Sequence, residues 1–84
     1  MRKRDINFGD EVYCSCKDLF AAFPSQRTHL LMTHARRIKN NFLPGTPYSF
    51  FEKKAKRFER NKSNTGKEIY KLYKEAELQM RELS

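Results

Sequence analysis

Leu31, Ala35, Ile38 and Phe42 recur at spacings of four, three and four residues. An α-helix has about 3.6 residues per turn, so these four side chains share one face. The spacing predicts a helix from about 25 to 42. Pro24-Ser25 opens it, with Ser25 as N-cap, and Leu43-Pro44-Gly45 ends it. A second apolar line, Phe51, Ala55 and Phe58, predicts a helix within 46–62, opened by Thr46-Pro47 or by Ser49, with Ser49-Phe50-Phe51-Glu52 fitting a capping box. The run Asn61 to Gly66 reads as a turn. Ile69, Leu72 or Tyr73, Ala76 and Met80 then predict a last helix over about 66–82, with Thr65 and Glu68 as its capping box. Upstream, Val12 to Phe20 reads as a short extended knuckle, and residues 1–11 as a polar arm. The expected fold is a small, mainly α, single domain over 1–84: an N-terminal knuckle followed by about three helices.

A chain of 84 residues makes a core that often needs a staple. Seven Phe and four Tyr supply enough large side chains for a small interior. No run of about 18 apolar residues exists. The charged start, Met1-Arg2-Lys3-Arg4-Asp5, has no apolar stretch behind it. The expectation is an intracellular protein with no membrane span and no secretory signal. There, two cysteines one residue apart point away from a structural disulfide and toward metal binding or redox work.

The chain's two Cys and two His all fall within 14–34, as Cys14-x-Cys16-x12-His29-x4-His34. Two thiolates and two imidazoles are a chemically suitable tetrahedral set for zinc. In an extended segment, residues two apart point to the same side, so both sulfurs can face one ion. Buried apolar roles for Cys14 and Cys16, with His29 and His34 on a helix surface, are the competing reading.

The arrangement resembles the C2H2 zinc finger over residues 13–34. Tyr13 stands just before the first cysteine, and Phe20 stands four residues after Cys16. The resemblance implies Cys14, Cys16, His29 and His34 as ligands of one structural Zn2+, with Tyr13 and Phe20 in the core. The finger-like unit would span 12–42 and be stabilised by the metal. The chain departs from the pattern in its single intervening residue, Ser15, and in Gln26 where a leucine is usual. The positions that read bases in that family fall on Ala22, Pro24, Ser25 and Thr28, none of which makes a bidentate base contact.

The charge is concentrated. Between Arg27 and Lys62 stand ten basic residues and two acids, Glu52 and Glu59, so this segment carries the chain's whole excess of +8. Such a concentration is the footprint of a polyanion binder. Arg27, Arg36, Arg37 and Lys39 on the first predicted helix, and Lys53, Lys56, Arg57 and Arg60 on the second, are the candidate contacts to nucleic acid, DNA before RNA. They would grip phosphate and set affinity and register. Docking on an acidic surface of a larger protein is the alternative, with Phe50, Leu78 and Leu83 as exposed apolar contacts. Gly9, Gly45 and Gly66 are too scattered for a phosphate loop, and no catalytic constellation is visible. The expectation is a regulatory binding protein, not an enzyme, with no small-molecule substrate.

Overall fold

The computed structural model describes residues 7–83. The protein is small and mainly helical: α1 (Phe8–Ala22), α2 (Gln26–Asn41), α3 (Tyr48–Phe58) and α4 (Asn64–Leu83). No strand is present among the described residues. Short connections make two helical hairpins, α1 on α2 and α3 on α4. They meet where α2, and more lightly α1, contacts α4.

Residues 12–20, expected as an extended knuckle, lie inside α1. The reason is an apolar line at helical spacing: Phe8, Val12, Cys16 and Leu19. All four belong to the core or pack against it. Asp10 and Glu11 in the first turn suit the positive end of the helix dipole. The helix also takes residues 8–11 from the expected polar arm; the part of that arm over 1–6 lies outside the described residues.

The second helix starts as its cap residues require. Ser25 Oγ accepts from the Thr28 amide at 3.1 Å, and Thr28 Oγ1 accepts from the Ser25 amide at 3.0 Å. After α2, the Thr46 amide donates to the Leu43 carbonyl at 3.0 Å, with Pro44 and Gly45 between. Gly45 has φ 95°, a conformation that a Cβ disfavours. Of the two starts expected for the next helix, the chain uses Thr46-Pro47: Pro47 precedes α3 with no side-chain cap, and Ser49 sits within the first turn, so the expected Ser49 capping box does not form. Ser63, not Thr65, caps α4, its Oγ accepting from the Gly66 amide at 3.0 Å.

The core gathers Leu31, Ala35, Ile38 and Phe42 of the α2 side with Phe51 and Ala55 of α3 and Ile69, Tyr73, Ala76 and Met80 of α4. Phe42 lies 5.3 Å from Phe8 and 5.8 Å from Phe51, centroid to centroid, so one ring bridges three helices. The buried carboxylate of Glu77 is paired with Lys74 and Arg81, each at 3.2 Å. Pairing of this kind lets a charged group sit in the interior.

Gly9 marks the closest approach of α1 to α2. A Cβ there would stand 2.9 Å from Lys39 Cα and 3.1 Å from Phe42 Cβ. Alanine normally improves a helix interior by about 1 kcal/mol over glycine. Here overpacking against backbone outweighs that gain, since such strain costs about 1–3 kcal/mol. Gly9→Ala is expected to destabilise the protein by about 1 kcal/mol in urea unfolding. An unchanged or higher midpoint would show that the two helices are not packed this closely.

Candidate nucleic-acid interface

The four candidate zinc ligands are not brought together. In a helix, residues two apart lie about 200° apart on the wheel, so Cys14 and Cys16 face opposite ways. Cys14 is exposed and Cys16 is buried. Burial pushes the Cys16 thiol above its ordinary pKa, and the charge of Glu68 adds to the shift. That disfavours the thiolate, the form a metal needs. His29 is exposed, with its ring 5.8 Å from Phe20 beside a shallow apolar depression that Pro24 and Leu30 also line. His34 turns instead into the bundle. Its Nδ1 lies 2.8 Å from Tyr73 Oη, and its ring meets Phe58 and Tyr73 edge-on at 5.2 and 5.5 Å. Among the described residues, no three His, Cys, Asp or Glu side chains are grouped to hold a metal. This arrangement does not fit one tetrahedral zinc. Tyr13 packs against the core along its ring, whereas Phe20 lies at its edge, facing His29.

The basic residues divide around α2. Arg36 and Arg37 are neighbours, so they diverge by about 100° on the helix. Arg36 turns toward α1: its Nη2 donates to Tyr13 Oη at 3.4 Å, and its guanidinium lies 5.8 Å from the ring centre. Lys39 approaches the same ring at 5.9 Å and pairs with Asp10 at 3.8 Å. The hydrogen bond from Arg36, with the charges of Arg36, Lys17 and Lys39, lowers the Tyr13 pKa. Arg37 turns the other way, to the side of His34, whose ring meets Phe58 of α3 and Tyr73 of α4. Burial, then the charges of Arg37 and Lys54, hold His34 below its ordinary pKa. Lys54 itself reaches over the Phe50 ring at 5.5 Å.

On α3, the expected stripe of Lys53, Lys56, Arg57 and Arg60 is split. Lys53 and Arg57 are exposed. Lys56 borders a small polar cleft against α4, with Glu52, Glu59, Tyr70, Lys74 and Glu77. Arg60 lies past the end of the helix, in the turn. Arg27 is engaged by Glu68 of α4. Lys54 and Lys17 therefore join the basic side chains, and the Tyr13 ring borders Arg36 and Lys39, although none of the three was among the expected contacts. For Lys54 a signal was available, because it stands four residues after Phe50 and so must lie above that ring. Of the ten basic residues from Arg27 to Lys62, only Arg27 and Lys39 have a carboxylate of a described residue within ion-pair distance.

Apolar exposure lies elsewhere. Phe23, Leu30, Leu43, Tyr48 and Leu78 are the large exposed side chains, whereas Phe50 and Leu83 pack against the core. No helix among the described residues is long and apolar enough to cross a membrane. No known protein family, curated protein or solved structure matches the chain.

Removal of metal tests the separation of the four ligand candidates. Purified protein treated with a strong chelator is expected to keep its helical circular dichroism and its melting temperature. Stoichiometric zinc by elemental analysis, with loss of helix on chelation, would show that Cys14, Cys16, His29 and His34 do converge.

Proposed function

We propose that the protein binds nucleic acid through a basic surface on α2 and α3, and that it acts in a regulatory capacity inside the cell. The observation that carries the reading is the set Arg36, Arg37, Lys53, Lys54 and Arg57, none of which has a carboxylate of a described residue within ion-pair distance, in contrast to Lys74 and Arg81, which share Glu77. Cations held this close repel one another, and a polyanion relieves that repulsion while releasing its own counterions. Arg37, Lys53, Lys54 and Arg57 would contact phosphate on the α3 side. Lys17, Arg36 and Lys39 would do so on the α1 side. Half-buried Phe50 adds an apolar edge beside these charges. The reading needs no zinc finger: the same residues form the surface when helix packing alone holds α2.

Exposed Phe23, at 67%, and Leu30, at 42%, favour a second reading. Leu30 lines the apolar depression near His29, at the opposite end of α2 from Lys39, and Phe23 directly precedes Pro24, which also lines it. A partner protein with an acidic surface would then take the basic residues, with these two rings and chains as anchors.

Fluorescence anisotropy with a labelled 20-base-pair DNA duplex tests the first reading. Affinity is expected to fall by about 10²-fold or more between 50 and 200 mM salt, with a log–log slope set by the phosphates neutralised. Replacing Arg57 by Gln is expected to reduce that slope by about one. Affinity that does not change with salt, or no binding at 50 mM, would contradict it.

A further inference from the structure

The face of α2 turned away from the core has a composition that phosphate binding alone does not require. The inward residues Thr28, Leu31, Ala35 and Ile38 are all buried. On the ideal wheel, the directly opposite arc of about 100° holds Gln26, His29, Thr33, Arg36, Arg37 and Asn40. All but the half-buried Thr33, whose hydroxyl donates to the His29 carbonyl, are exposed. Long and amide side chains thus stand on this face of a regular helix of 16 residues, with the short Thr33 among them. Arginine pairs bidentately with the O6 and N7 of guanine, and asparagine or glutamine with the N6 and N7 of adenine. The major groove of B-form DNA, about 12 Å wide, admits one α-helix. The base-reading positions of the finger-like pattern, counted back from His29, fall on residues unable to make such contacts. Of those positions only Thr28 lies on α2, and Arg36, Arg37 and Asn40 stand about two to three turns after it.

The flanks are arranged to suit. Arg36 leans toward α1, where Lys17 lies, and Arg37 lies on the side of His34, whose ring packs on Phe58 of α3, the helix that carries Lys54. A helix lying in a groove has a phosphate strand on each side, and cations stand on both sides of α2. The bond from Arg36 to Tyr13 is long, at 3.4 Å, and exposed, so the guanidinium can leave it at little cost. Asn40 makes no hydrogen bond to a side chain of a described residue, whereas its neighbour Asn41 is tied to the Arg37 carbonyl at 2.8 Å.

We propose that α2 is a recognition helix for duplex DNA: Arg36, Arg37 and Asn40 read base edges in the major groove while basic residues of α1 and α3 hold the phosphates on either side. This rests on the nucleic-acid reading above and deepens it from polyanion binding to sequence readout. It also selects DNA over RNA duplex, because the major groove of A-form RNA is too narrow and deep for side chains to read.

The test is selection of the purified full-length chain on a 20-base-pair DNA duplex library with a randomised centre, at 150 mM salt, followed by sequencing of the bound pool. An enriched motif containing guanine and adenine is expected. The enriched duplex, a shuffled duplex and an RNA duplex of the enriched sequence are then compared by anisotropy. Asn40→Ala and Arg37→Ala are expected to lower the preference for enriched over shuffled DNA by about 5- to 100-fold each. Lys53→Ala is expected to weaken both duplexes alike and leave the preference intact. Circular dichroism of each variant establishes that the helices remain. No enrichment, or equal affinity for the RNA duplex, would overturn the recognition helix and leave general polyanion binding standing. No binding to any duplex at 50 mM salt would overturn both.

Discussion

The Phe42 ring sits between Phe8 of α1 and Phe51 of α3, and with it the two helical hairpins become one body. Loss of a buried aromatic ring of this size costs about 3–5 kcal/mol, a large share of the stability of so small a domain. Its position fixes the rotation of α2. Once Phe42, Ile38, Ala35 and Leu31 point inward, the helix has no freedom to choose which residues face water. Arg36, Arg37 and Asn40 are exposed because the core line lies on the other side. The proposed binding surface is thus a consequence of packing, and no separate device is needed to present it.

The same rotation sends two adjacent arginines into different surroundings. Arg36 meets the Tyr13 phenol on α1, and Arg37 meets the environment of His34, Tyr73 and Lys54 between α2 and the second hairpin. His34 is neutral near pH 7 because burial and two cations oppose its protonation. It therefore serves as packing and as a hydrogen-bond partner of Tyr73, and adds no charge to the surface. Cys16 is uncharged for a related reason, burial. Two of the four residues that suggested a metal are explained by the interior they help to fill.

Much of the helical part was legible. The four–three–four spacing of α2 and the Ser25 cap are direct readings of local geometry, and the structure has both. Lines on α3 and α4 were also legible, because Phe51, Ala55, Ile69 and Met80 keep the helical period without interruption. The first helix was not read. Its period is Phe8, Val12, Cys16 and Leu19, but Cys16 counts as apolar only if it is not a ligand. A near-match to a metal pattern claimed Cys16, removed it from the apolar line and turned a helix into a knuckle. The division of the basic residues was hidden for a different reason. Helical spacing groups Lys53, Lys56, Arg57 and Arg60 on one side of α3, but only the position of α4 shows that Lys56 borders a polar cleft with three glutamates, while Lys54 lies over the Phe50 ring.

The central claim is that the outward face of α2, flanked by α1 and α3, meets the polyanion. Titration of isotope-labelled protein with a 20-base-pair DNA duplex, followed by backbone amide NMR, locates that face directly. The expected shifts concentrate on residues 36–40, with a second set around Lys53, Lys54 and Arg57 and little change along the buried line of α4. Shifts confined to the depression lined by Phe20, Pro24 and Leu30, or no shifts at low salt, would contradict it.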